Sequence, residues 1–134
     1  MKLYLKGEVK IYPTEDPGKV KTAVENIFSS LNFKLETAGE TQTLIFWSEK
    51  IESLQKMKNI LKQDQVRDAV RSFLLGRVFE NRLRFYLNKQ VAYAGHVSVC
   101  EPQGESPLGP IEVEIECEDP KKLIDWLSPP SQQT

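Results

Sequence analysis

Strict alternation runs through Pro110-Ile-Glu-Val-Glu-Ile-Glu-Cys-Glu-Asp-Pro120, with Ile111, Val113, Ile115 and Cys117 on one side and Glu112, Glu114, Glu116 and Glu118 on the other. A period of two sustained over this length is a β-strand with one face in a core and the other in water. A sheet face lined by carboxylates repels phosphate, so this segment argues against a protein that simply follows a nucleic-acid backbone.

The same period marks Leu3 to Tyr12, where Leu3, Leu5, Val9 and Ile11 point inward, and Arg82 to Asn88, which buries Leu83, Phe85 and Leu87. Phe33 to Ala38 and Thr43 to Ser48 read as a hairpin around Gly39-Glu40, and Val91 to Cys100 reads as a further strand after a turn at Asn88-Lys89. Helical spacing appears between the strands. Asp16-Pro17 opens a helix with Val20, Ala23, Val24, Ile27, Phe28 and Leu31 as its apolar stripe, and Asp119-Pro120 opens another with Leu123, Ile124, Trp126 and Leu127. Two shorter helices follow the hairpin, one carrying Ile51, Leu54, Met57, Ile60 and Leu61, the other Val66, Ala69, Val70, Phe73 and Leu74. Helices do not alternate with every strand, which excludes a parallel doubly wound sheet. The pattern predicts an α+β, two-layer sandwich: a mostly antiparallel sheet with helices packed on one face. The 134 residues suffice for one domain, placed at 1–128, with a frayed tail at 129–134.

Several chemistries find no support. Cys100 and Cys117 are too few for a disulfide framework or a zinc motif and read as reduced core thiols. The glycines never gather into a phosphate-cradling loop. His96, the single histidine, falls within the strand read at 91–100 and has no recognisable nucleophile or orienting partner in sequence. Glutamates two apart on a strand stand about 7 Å apart, too far to share one cation unaided. No catalytic residue, metal or cofactor is expected. The opening Met-Lys-Leu-Tyr-Leu-Lys-Gly-Glu alternates like a strand and lacks the apolar block of a signal peptide, and no apolar run is long enough for a membrane span. A cytoplasmic protein is expected.

Charge is unevenly spread. Residues 49–92 carry ten bases against five acids, whereas residues 93–134 carry two against eight. Candidate RNA contacts in the basic stretch are Lys56, Lys58, Lys62, Arg67, Arg71, Arg77, Arg82, Arg84 and Lys89, with Tyr86 available for stacking. Four of the arginines have a competing use. Asp64 precedes Arg67 by three residues and Asp68 precedes Arg71 by three, the spacing of helix-surface pairs. Arg82 and Arg84 share a sheet face with Glu112, Glu114 and Glu116, where cross-strand pairing would neutralise them. A pI near 5.9 also contrasts with the value above about 9 common in dedicated binders. Ile45, Trp47 and Tyr86 supply an apolar second face suited to a partner, which makes them candidate dimer-interface residues.

Three segments carry a resemblance: Arg84-Phe-Tyr-Leu-Asn-Lys-Gln-Val-Ala92, Glu105-Ser-Pro-Leu-Gly-Pro-Ile-Glu-Val113 and Pro13-Thr-Glu-Asp-Pro17. They resemble the archaeal uncharacterised protein family 201, described as predicted RNA-binding or exosome-associated. The resemblance spans nearly the whole chain. It implies dimers and a fold similar to the large-subunit ribosomal protein that anchors the smallest ribosomal RNA, without transferring that protein's RNA site. The sequence therefore reads as a non-enzymatic homodimer acting through contacts with an unknown protein partner, with general RNA binding disfavoured. The alternative is an RNA-binding protein associated with the exosome or ribosomal RNA, using the basic middle segment.

Overall fold

A computed structural model describes residues 1–101 and 108–131. Among these residues, five helices and seven strands form two layers. The strands are β1 (Leu3–Ile11), β2 (Asn32–Ala38), β3 (Thr41–Ser48), β4 (Val78–Phe79), β5 (Arg82–Leu87), β6 (Val99–Cys100) and β7 (Ile111–Cys117). The helices are α1 (Pro17–Ile27), α2 (Gln55–Gln63, led in by a 3-10 turn at Ile51–Leu54), α3 (Arg67–Leu75), α4 (Lys89–Tyr93) and α5 (Pro120–Leu127). The sheet runs β2-β3-β1-β7-β5-β4, every pairing antiparallel, and β6 shares with β4 the outer edge of β5. The α+β sandwich read from the sequence is therefore the observed fold.

Alternation decides which side of the sheet the helices cover. Leu3, Leu5, Val9 and Ile11 of β1, Leu83, Phe85 and Leu87 of β5, and Ile111, Val113, Ile115 and Cys117 of β7 are all buried, in one core with Val20, Val24 and Ile27 of α1 and Leu123, Ile124 and Leu127 of α5. Each fully buried side chain of this size contributes roughly 1.5–3 kcal/mol of transfer free energy. Gly7 occupies an inward position of β1, and the ring of Phe46, its neighbour in register on β3, fills the space a side chain would take. Phe46 in turn stacks on Phe28, with ring centroids 5.9 Å apart.

Both Asp-Pro turns cap helices as expected: Asp16 accepts from the Gly18 N–H at 2.9 Å and Asp119 from the Lys122 N–H at 3.1 Å, with proline at the first helical position of each. The region after β5 departs from the sequence reading. Val91 to Cys100 is not one strand: Asn88 caps α4 through the Val91 N–H at 2.9 Å, and only Val99–Cys100 returns to the sheet. His96 consequently lies in the connecting loop, exposed, with Nδ1 2.7 Å from Asp64 Oδ2. Strand β4, two residues long, had no signal in the alternation. Pro102, Gly104 and Pro107 of the proline-rich loop, and the tail from 132, lie outside the described residues. Ser131 is tied down, its N–H and hydroxyl donating to Asp68 at 3.0 and 2.8 Å.

Candidate nucleic-acid interface

One face of the sheet carries no helix, and strand register sorts its side chains into rows. Across β3, β1, β7 and β5, one row reads Trp47, Lys6, Glu114, Arg84 and the next reads Ile45, Glu8, Glu112, Tyr86. A third joins Tyr4, Glu116, Arg82 and, on β4, Phe79. Ile45 and Tyr86 thus share a row but are separated by Glu8 and Glu112, while two strands, β1 and β7, lie between Trp47 and the strand of Tyr86. The three residues proposed for a dimer interface do not meet in one patch.

Ion pairs run along the rows and tie neighbouring strands together. Arg84 donates from Nε and Nη2 to Glu114 Oε1 at 3.2 and 2.7 Å, and Lys6 Nζ stands 3.6 Å from Glu114 Oε2. Arg82 reaches Glu116 at 3.4 Å. The hydrogen bond from Arg84, with the charges of Lys6 and Arg82, holds the Glu114 carboxyl below its ordinary range despite partial burial, and the same bond raises Arg84. A carboxyl with a depressed folded-state pKa stabilises the fold above its unfolded value of about 4.3, and that contribution disappears as pH falls through the folded value. Urea titrations should therefore show wild type losing its advantage over Glu114→Gln as pH falls below about 5. A gap independent of pH would contradict this.

The pairing is asymmetric. Arg82, Arg84 and Lys6 are each more than half exposed, whereas Glu114 retains 11% exposure, so the cations stand outward over a sunken carboxylate. Lys6, Lys10, Lys34, Arg82 and Arg84 balance Glu8, Glu36, Glu112, Glu114 and Glu116, leaving the face without net charge. Glu8 and Glu112 oppose each other directly, and among the described residues neither has a base within ion-pair distance. They border a groove of about 370 Å³ that Ile45, Lys6 and Arg84 also line.

The other candidate contacts lie elsewhere. Lys89 is no surface base: at 4% exposure its ammonium donates to the Lys10 and Leu108 carbonyls at 2.9 and 2.7 Å and to both Glu15 oxygens at 3.0 and 3.1 Å. Burial pushes this ammonium below the usual lysine value, with Glu15 opposing the shift. Lys58 donates to the Trp126 carbonyl and covers its ring, and Lys56 donates to the Glu25 carbonyl at 2.8 Å. The expected helix pairs do not form. Arg71 reaches past Asp68 to Asp125 at 2.6 Å, Asp64 serves His96, and Asp68 serves Ser131, whose backbone bond leads in lowering the Asp68 carboxyl. Arg77 stacks on Phe73 and pairs with Glu101 at 2.6 Å. Lys62 and Arg67 have no carboxylate within ion-pair distance among the described residues. Carboxylates from 101–125 thus answer Arg71, Arg77, Arg82 and Arg84, the complementarity expected from the charge distribution, though by partners only half legible in sequence.

Among the described residues no group of three or more His, Cys, Asp or Glu is arranged to hold a metal, and no helix is long and apolar enough to cross a membrane. A family model described as RNA binding matches residues 4–117. A UPF0201 protein of Sulfurisphaera tokodaii is 43% identical over 122 residues, covering 91% of this chain and 84% of the relative. One from Pyrococcus abyssi is 38% identical over 122 residues, covering 91% and 86%. The crystal structure of a UPF0201 protein from Methanococcus jannaschii superposes with a TM-score of 0.83 at 33% identity, covering 96% of this chain and all of that one.

Proposed function

Because the chain belongs to the archaeal UPF0201 family, whose model carries an RNA-binding description, we propose that it binds single-stranded RNA on the open sheet face, through bases more than through phosphates. The observation that carries this reading is the composition of that face: Tyr4, Trp47, Tyr86 and Phe79 interleaved with outward Lys6, Arg82 and Arg84 at zero net charge. Aromatic faces accept any base by stacking. Paired carboxylates such as Glu8 and Glu112 repel phosphate but accept hydrogen bonds from the amino groups of base edges, as glutamate does from cytosine N4. Such a surface reads unstacked bases and gains little from counterion release. This reverses the preference drawn from charge alone. That preference turned on phosphate contacts, with Tyr86 alone considered for stacking.

Fluorescence anisotropy with short unstructured RNAs tests the proposal. Trp47→Ala and Tyr86→Ala should each weaken binding by the equivalent of about 1–3 kcal/mol, and the salt slope should correspond to only a few phosphates. The reading fails if these substitutions leave affinity intact while Lys62→Ala and Arg67→Ala abolish it, or if no RNA binds at low salt. A protein partner on the same face is the second reading, favoured by its neutrality and by half-buried Ile45.

A further inference from the structure

Glu8 and Glu112 stand opposite each other on the two central strands and divide the open face into two grooves. On one side lies the groove of about 370 Å³ bordered by Ile45, Lys6 and Arg84. On the other, a groove of about 280 Å³ is bordered by Lys10, Tyr12, Tyr86, Gly109 and Pro110. Both carboxylates line both grooves. Each groove is thus a gap between successive rows of side chains, and rows two residues apart along a strand stand about 7 Å apart. That is about twice the roughly 3.4 Å rise per nucleotide of a stacked strand, so the two grooves suit successive bases only when these are unstacked.

The larger groove holds acceptors and donors together. Its acceptors are the two carboxylates, and like charges directly opposite each other destabilise a sheet, so a ligand edge rich in N–H groups relieves an existing repulsion. Its donors are Arg84 and Lys6. The Lys6 ammonium is more than half exposed and keeps N–H groups for a ligand, because Glu114, at 3.6 Å, is its one ion-pair partner among the described residues. Half-buried Ile45 adds an apolar wall. Two cations in the same groove repel a metal ion, and two carboxylates repel a phosphate. A neutral, planar group with donors beside an acceptor satisfies all of these residues at once.

Resting on the reading of the open face as an RNA site, we propose that the groove beside Ile45 selects guanine, while the groove beside Tyr86 takes the adjoining base by stacking. Guanine alone among the four bases presents two parallel N–H donors, N1–H and the 2-amino group, which a single carboxylate accepts side by side. Its O6, next to N1–H, then accepts from Lys6 or Arg84. Cytosine and adenine each set one amino group beside an acceptor nitrogen whose lone pair would face the carboxylate. Uracil sets one N–H between two carbonyls. The stacking residue tolerates any base, so selectivity belongs to Glu8 and Glu112.

Anisotropy titrations with a short uridine RNA carrying one central guanosine, inosine, adenosine or cytidine test this. The guanosine RNA should bind about tenfold more tightly than the inosine RNA, which keeps O6 and N1–H and lacks only the 2-amino group. The double variant E8Q/E112Q should bring that ratio close to one. Its circular dichroism should match wild type, since the substitution removes opposed charges from a face that no helix covers. Equal affinity for the guanosine and inosine RNAs, a preference for adenosine or cytidine, or a ratio that survives in E8Q/E112Q would overturn the guanine assignment. If binding is then still weakened by Trp47→Ala and Tyr86→Ala, the open face stands as the RNA site and only its selectivity is wrong. Failure of every RNA to bind at low salt overturns both.

Discussion

Replacing Lys89 with methionine should cost about 3–5 kcal/mol, the range for breaking a buried ion pair from one side. Among the described residues the Glu15 side chain is held by this ammonium and by the Tyr12 N–H, which donates to Oε1 at 3.0 Å, and it is itself 9% exposed. Methionine fills the volume but leaves a carboxylate and the Lys10 and Leu108 carbonyls without their donor. Chemical denaturation of Lys89→Met measures the loss. The double variant K89M/E15L should recover part of the loss, because an apolar pair leaves no orphaned charge. A cost under about 1 kcal/mol, as for an exposed pair, would show that water reaches this site freely.

The second large effect is expected at Gly7. A Cβ there would stand 2.2 Å from Phe46 Cζ and 2.5 Å from the Glu112 carbonyl oxygen, contacts that real side chains do not make. The Phe46 ring is fully buried and stacked on Phe28, and the carbonyl belongs to the neighbouring central strand. Gly7→Ala should therefore cost at least the roughly 1–3 kcal/mol of an overpacked core, with a melting temperature lower by about 4 °C per kcal/mol. Gly7→Val should cost more still. Phe46→Leu in the Gly7→Ala background makes room and should recover part of the loss, whereas Phe46→Leu alone should destabilise. Additive single effects in that cycle would mean that the two residues do not share the space.

Both sites show how far sequence reaches in this fold. Period two in β1, β5 and β7 and the two Asp-Pro caps are local signals, and the structure follows them because each element needs only its own alternation to find its buried face. Gly7 interrupts the apolar series of β1 at an inward position, yet nothing nearby names Phe46 as the residue that fills the gap. Lys89 read as one more surface base because its partners come from Lys10, Glu15 and Leu108, far away in the chain. The short helix behind it was announced by Asn88 alone, a cap that resembles a turn residue when the helix has only five residues. For the candidate interface, alternation placed Arg82, Arg84 and the glutamates on one face correctly. It could not show that Glu114 sinks while the cations stand up, since that depends on Lys6 arriving from β1 on the other side.

The middle of the sheet has a consequence for how the protein is made. Leu3 pairs with Cys117 and Val9 with Ile111, so the two central strands are the first and last of the described seven to be synthesised. Until β7 emerges from the ribosome, β1 has one neighbour and β5 lacks its main one, and the nascent chain carries two half-sheets with unsatisfied inner edges. Such a chain completes its fold late and all at once, and slow translation would prolong the exposure of those edges.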